Sequence, residues 1–211
     1  YFEVLRENIE SILYNIWSNL RFMIDMGIVT KEDSKEFEKL LTSPNEKARA
    51  WAWFNSGWLM EKGLLNDVKG KKEYFLSLLE ASNENIRIEA FMHGIENGLL
   101  SREDLLNLLS SKDEKTRYMA WSNIQKFADI LEEAKKRKEY FIQLLRSSDR
   151  SIRLSAWSNV IDLINKGILT TDDVKGEIEY FIQLLVSEKK AWDVLNELVC
   201  KGVIADVKEF I

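Results

Sequence analysis

Glu139-Tyr140-Phe141-Ile142-Gln143-Leu144-Leu145 recurs almost unchanged as Glu179-Tyr180-Phe181-Ile182-Gln183-Leu184-Leu185, and more loosely as Glu73-Tyr74-Phe75-Leu76-Ser77-Leu78-Leu79. Self-similarity at a long, regular period is the mark of a repeat architecture. Each stretch reads as the opening of a helix and ends on a leucine, and an aromatic follows at a fixed distance. Leu5 to Trp17, Leu41 to Trp53, Leu79 to Phe91, Leu109 to Trp121 and Leu145 to Trp157 are all 12 residues apart. In the last copy, Leu185 to Trp192 is only 7, so that copy has lost its turn between helices. Successive aromatics at 17, 53, 91, 121, 157 and 192 define six copies of a unit of about 36 residues.

Each unit reads as a pair of helices. Thr30-x-x-Asp33, Ser101-x-x-Asp104 and Thr170-x-x-Asp173 open the first helix, where a hydroxyl accepts from unpaired N–H groups and an acid suits the positive helix end. Gly27, Gly63, Gly98, Gly167 and Gly202 close the second helix, at the position that favours a left-handed backbone. Short polar turns such as Ser43-Pro44-Asn45-Glu46 and Ser147-Ser148-Asp149-Arg150 lie between the two. The fourth copy lacks the glycine, and a continuous helix is expected there from Ala128 to Lys138. The approximate units are 1–29, 30–65, 66–100, 101–133, 134–169 and 170–204, within one domain spanning 1–211. The chain opens on Tyr1 rather than Met, as a fragment would, and Glu209-Phe210-Ile211 reads as the start of a further helix, an end that invites either a further repeat or a dimer contact.

Asn45, Asn83, Asp113 and Asp149 stand in the turns, each followed four residues later by Arg49, Arg87, Arg117 or Arg153, with Ala52, Ala90, Ala120 and Ala156 at the helix centres. This pattern resembles the HEAT-repeat signature, fully in copies two to five and partly at the ends, where Leu13 and Glu188 replace the arginine. The resemblance implies an all-α, right-handed solenoid of six helical hairpins with degenerate terminal repeats, its second helices lining a concave groove. It implies nothing about the ligand, since such folds serve many functions.

On a helical wheel, the second helix of copy five (152–166) places Ile152, Leu154, Ala156, Trp157, Val160, Ile161, Leu163 and Ile164 on one arc. Ser155, Ser158, Asn159, Asp162, Asn165 and Lys166 fall on the other. Arg153 falls within the apolar arc, and Asp149 with nearby carbonyls is expected to pair it, because an unpaired buried guanidinium is costly. Trp17, Trp53, Trp121, Trp157 and Trp192 are therefore read as core, each covering about 150–250 Å².

Transferred to the other copies, the open arc holds Asn15, Ser18, Asn19 and Phe22 in copy one. It holds Glu89, Met92, His93 and Glu96 in copy three, and Met119, Ser122, Asn123 and Lys126 in copy four. Copy two departs from this polarity with Trp51, Phe54, Asn55 and Trp58. Either these aromatics contact a partner, or curvature of the array covers them with copies one and three. Trp51-x-x-x-Asn55 is similar to the Trp/Asn pairs with which the armadillo repeats of importin-α hold an extended peptide. Asn19, Asn55, Asn123 and Asn159 recur at one position, facing either a ligand or one another.

Composition narrows the function classes. Hydrophobic residues at 45% and charged residues at 31% suit a folded domain, and no apolar run is long enough to span a bilayer. A net charge of -5 disfavours a phosphate-neutralising surface. The run Lys135-Lys136-Arg137-Lys138, beside Glu132 and Glu133, is read as a solvated face. Cys200 is the single cysteine, which fits a reducing cytoplasm, and three glutamines is the low count of a heat-adapted chain. His93 between Glu89 and Glu96 is a poor zinc set, so no metal, cofactor or catalytic residue is assigned.

The expected function is a non-catalytic scaffold whose groove takes a protein or peptide, with Trp51, Phe54 and Trp58 as anchor. Asn19, Phe22, Asn55, Met92, His93 and Glu96 would flank it. The alternative is a nucleic-acid-binding solenoid resembling the DNA-alkylation-repeat glycosylases, with Trp58 and one of Asp25, Glu61 or Glu96 around an extruded base.

Overall fold

Every regular element among the described residues is a helix. The computed structural model describes residues 19–126 and 128–204, so Leu5, Leu13, Asn15, Trp17, Ser18 and Glu209-Phe210-Ile211 lie outside them. The chain divides into two compact units, Tyr1–Leu99 and Leu100–Ile211. In the first, helical residues 19–25 precede α1 (Ser34–Leu41), α2 (Glu46–Phe54), α3 (Ser56–Glu61), α4 (Lys72–Leu76) and α5 (Glu84–Glu96). In the second come α6 (Arg102–Leu108), α7 (Glu114–Ser122), α8 (Leu131–Lys135), α9 (Lys138–Leu145), α10 (Arg150–Asn165), α11 (Thr171–Lys175), α12 (Ile178–Leu185) and α13 (Lys189–Cys200). The stretch from Ala128 to Lys138, expected as one helix, is interrupted at Lys136 and Arg137.

Helix ends explain most of the recurring residues. A helix leaves several N–H and C=O groups without partners at its termini. At the starts of α2, α5, α7 and α10, the side chains of Asn45, Asn83, Asp113 and Asp149 accept from N–H groups two or three residues on, at 2.7–3.3 Å. Ser101 and Thr170 form reciprocal boxes, in which Asp104 and Asp173 accept the backbone N–H of the hydroxyl residue at 2.7 and 2.8 Å. The five expected glycines all have positive φ, between 64° and 71°. An L side chain in that conformation costs on the order of 1 kcal/mol.

Carbonyls released at the end of a first helix are taken by side chains of the second. Trp53, Trp121 and Trp157 donate their indole Nε1–H to the Leu41, Leu109 and Leu145 carbonyls at 3.0, 2.9 and 3.2 Å. In copies two, four and five the twelve-residue spacing is thus that of a hydrogen bond. Even the shortened last copy keeps it, with Trp192 donating to the Leu185 carbonyl at 3.0 Å. The arginines act alongside. Arg49, Arg117 and Arg153 donate from Nη1 to the carbonyls of Ser43, Ser111 and Ser147 at 2.5, 2.6 and 2.8 Å. Arg87 donates in the same way to Ala81 and Ser82. The expected carbonyl partner of Arg153 is present, that of Ser147, whereas the expected Asp149–Arg153 pairing is corrected, because Asp149 is occupied as the cap of α10. A cation at the negative end of the preceding helix is the favourable place for it.

Successive copies within a unit meet through the same residues. Trp53 tilts against Phe75, Trp121 against Phe141 and Trp157 against Phe181, with centroids 5.1–5.5 Å apart. Each phenylalanine belongs to the Glu-Tyr-Phe stretch of the next copy, whose tyrosines (Tyr74, Tyr140 and Tyr180) stay exposed. Ala52, Ala90, Ala120 and Ala156 are buried, so the helices can approach closely there. Polar ties repeat as well: Glu46 accepts from the Ser82 N–H at 2.9 Å, and Ser147 Oγ donates to Glu114 at 2.9 Å.

Trp53, Trp121 and Trp157 are at most 1% exposed, as expected. Trp192 is 45% exposed, which corrects its assignment to the core. Its indole keeps the carbonyl bond although the ring is exposed. The open arc of α10 is confirmed by exposed Ser158, Asp162 and Asn165 opposite buried Ile152, Ala156, Val160 and Leu163.

Urea melts should separate the two roles of the indole. Trp157→Ala should cost about 3–5 kcal/mol through the cavity. Trp157→Phe, which keeps most of the ring and loses the N–H, should cost about 1 kcal/mol. Asn159→Ala on the open face should cost under about 1 kcal/mol. Equal losses for all three would contradict this division.

Candidate functional site

In the first unit α2 packs against α5. Their exposed edges leave a hollow of about 370 Å³, lined by Trp51, Phe54, Asn55, Glu89, Met92, His93 and Glu96. A second hollow of about 230 Å³ shares Trp51, Phe54 and Glu89 and continues past Lys47, Ala50, Asn83, Asn85 and Ile86. Trp51 and Phe54 are therefore the common wall of one groove, and both are half-buried. They are neither sealed in the core nor fully in water.

Six of the nine candidate residues come together here: Trp51, Phe54, Asn55, Met92, His93 and Glu96. Glu89, on the same arc of α5, completes the wall. Trp58 does not line this hollow. The reason is local: α2 ends at Phe54, and α3 restarts at Ser56, so the wheel drawn through Trp51, Phe54 and Trp58 is broken at Asn55. Trp58 instead lies under Arg21, whose guanidinium carbon is 5.3 Å from the ring centroid. Phe22 is 62% exposed and Asn19 is exposed, both in helical residues 19–25, away from the α2/α5 hollow.

The asparagines do not bond one another. Asn55 and Asn123 donate from Nδ2 to the carbonyls four residues earlier, those of Trp51 and Met119, at 2.8 and 2.9 Å. Each ends its helix by satisfying a terminal carbonyl, as Asn97 does for His93 at 3.0 Å. Residues 47, 50, 51 and 54 share one face at helical spacing, so Lys47 and Ala50 were within reach of the wheel. Ile86 and Asn85 stand one turn before Glu89 and were likewise missed.

His93 is half-buried beside Phe54, their ring centroids 5.5 Å apart, and its Nδ1 is 3.2 Å from the Asn97 amide nitrogen. Nε2 is buried, with no hydrogen bond of good geometry and the Trp53 backbone as its polar neighbour. Burial lowers the pKa of the imidazole below its ordinary value, while the Trp53 backbone and the Glu96 carboxylate act in the opposite direction. At neutral pH the hollow is thus two aromatic rings, a thioether, a neutral imidazole and two exposed carboxylates. Its lining offers no hydroxyl or thiol nucleophile. No group of three or more His, Cys, Asp or Glu residues is placed to hold a metal among the described residues.

The residues of the alternative reading are engaged differently. Trp58 is covered by Arg21, and Asp25 pairs with Lys62 at 3.4 Å. Of the basic run, Lys138 pairs with Asp173 at 2.5 Å, and Arg137 donates to the Glu133 carbonyl. The second unit has its own, more polar hollow of about 560 Å³, lined by Tyr118, Ser151, Leu154, Ser155, Ser158, Asn159, Glu188, Lys189 and Lys190. Among the described residues no helix is long and apolar enough to cross a membrane. Neither the protein-family models nor the curated proteins compared with this chain match it.

The lowered His93 pKa has a consequence for stability. The unfolded chain takes up the proton first as the pH falls through about 6.5. Stability should therefore be full above that pH and decline as it drops toward the folded-state value. Thermal melts of the wild type from pH 7.5 to 5.5 should show this decline, and His93→Gln should flatten it in that window. A wild type with no slope there would contradict a half-buried neutral imidazole.

Proposed function

We propose that the chain is a HEAT-like right-handed α-solenoid of six hairpin repeats that works as a non-catalytic binding scaffold for a protein or peptide. The recurring indole–carbonyl, arginine–carbonyl and Asn/Asp-cap bonds support one unit repeated along the chain. The ties from Glu46 to Ser82 and from Glu114 to Ser147 support stacking of consecutive units. A reducing cytoplasm suits the lone, exposed Cys200.

One observation carries the binding reading: the Trp51 and Phe54 rings form the shared wall of two adjoining hollows along the α2/α5 groove. Large half-buried aromatics in a concave, unfilled site are the usual anchors of recognition. Helix α2 rises about 1.5 Å per residue, so the groove edge from Lys47 to Asn55 runs roughly 12 Å. That accommodates three or four extended residues at about 3.3 Å each.

Display selection of random peptides on the full chain tests this reading. The selected peptides should bind the wild type and lose at least about tenfold in affinity on Trp51→Ala, with a melting temperature nearly unchanged. Peptides that bind Trp51→Ala equally well would refute the site. Tighter binding of alkylated duplex DNA at low salt would favour the glycosylase-like reading instead.

A further inference from the structure

The groove is not neutral. Glu89 and Glu96 lie seven residues apart on α5, with Met92 and His93 between them, so the carboxylates stand about two turns apart on the face that meets Trp51 and Phe54. Both glutamates are exposed, and neither has an ion-pair partner among the described residues. None of the seven residues lining the larger hollow is a lysine or arginine. The larger hollow thus presents negative charge beside two aromatic faces and a polarisable thioether, and the groove's lysine, Lys47, lines only the adjoining hollow that shares Glu89.

We infer that the larger α2/α5 hollow takes the guanidinium of an arginine carried on an extended segment of a partner protein, stacked on Trp51 or Phe54 and paired with Glu89 and Glu96. The inference rests on the peptide-binding reading above and names the side chain that the site selects. An arginine matches each element: its apolar stem covers Met92, its planar head stacks on an aromatic ring, and its fork pairs with carboxylates. A lysine supplies charge without the planar stack. The same pairing is already used within this unit, where the Arg21 guanidinium lies over the Trp58 ring. Burial keeps His93 from adding a competing positive charge at neutral pH.

The test uses the full chain and four acetylated, amidated pentapeptides, Gly-Gly-Xaa-Gly-Gly, with arginine, lysine, citrulline or leucine at the centre. Binding is followed by the Trp51 indole N–H resonance, assigned by its loss in Trp51→Phe. The arginine peptide should shift it saturably, and should bind at least about five- to tenfold more tightly than the citrulline peptide, which keeps shape and loses charge. Lysine should fall between them, and added salt should weaken the arginine peptide most. Glu89→Gln with Glu96→Gln should remove the preference over citrulline while the melting temperature stays unchanged. If leucine or citrulline binds as well as arginine, the arginine assignment is overturned and the groove remains a neutral peptide anchor. If no pentapeptide moves the Trp51 resonance while display-selected peptides do, the arginine assignment also fails. If nothing, selected peptides included, moves it, the binding reading falls with it.

Discussion

A carbonyl left open at the end of a helix must find a donor, and in this protein the donor comes from the next helix. Trp53, Trp121 and Trp157 each reach back twelve residues to the carbonyl of a leucine that ends the preceding helix or stands just beyond it. The bond is buried, where an unpaired carbonyl is costly, so it fixes the distance between the two helices of a hairpin. The indole then presents its ring to the phenylalanine of the following copy. One side chain thereby closes its own hairpin and holds the next, and the arginine and the Asn/Asp cap complete the ends of the same two helices.

Repetition makes the exceptions informative. Phe91 replaces the tryptophan in the third copy, so its ring fills the core without an N–H to donate. Trp192 keeps the donor although its ring lies exposed, so the hydrogen bond does not require burial of the ring. The second copy departs on its outer face, where Trp51 and Phe54 stand at the positions of Met119 and Ser122 in the fourth. Copies two and four share the asparagine that ends the helix by bonding four residues back. They differ in whether the face before that asparagine is aromatic, and the aromatic one adjoins a groove whose carboxylates, Glu89 and Glu96, have no ion-pair partner among the described residues.

Much of the fold was legible in the residues because its determinants are local. Helix caps act over two or three residues, left-handed glycines need only their own backbone, and the hairpin bond of Trp53, Trp121 and Trp157 spans twelve. Those constraints sit at fixed spacings, so the five glycines, the Ser101 and Thr170 boxes of α6 and α11 and the buried Trp53, Trp121 and Trp157 could all be read from spacing. Of the two partners expected for Arg153, the carbonyl holds and Asp149 does not, because two acceptors compete for nearby donors and sequence order does not say which wins. Asp149 is geometrically committed to the N–H groups of its own helix, which leaves the guanidinium to the carbonyls across the turn.

The candidate site was legible only in part, for the same reason. Wheel phase placed Trp51, Phe54, Met92, His93 and Glu96 on open arcs, and the packing of α2 on α5 brought those arcs into one groove. Phase survives only while a helix continues, and Asn55 ends α2 by taking a carbonyl that the next turn would have used. Trp58 therefore left the face on which periodicity placed it and met Arg21 instead. Residue spacing set which side chains face outward within each helix. Where two helices meet, where one of them breaks and how deeply a ring sits between neighbours depend on contacts between residues far apart in the chain, and those were settled by packing.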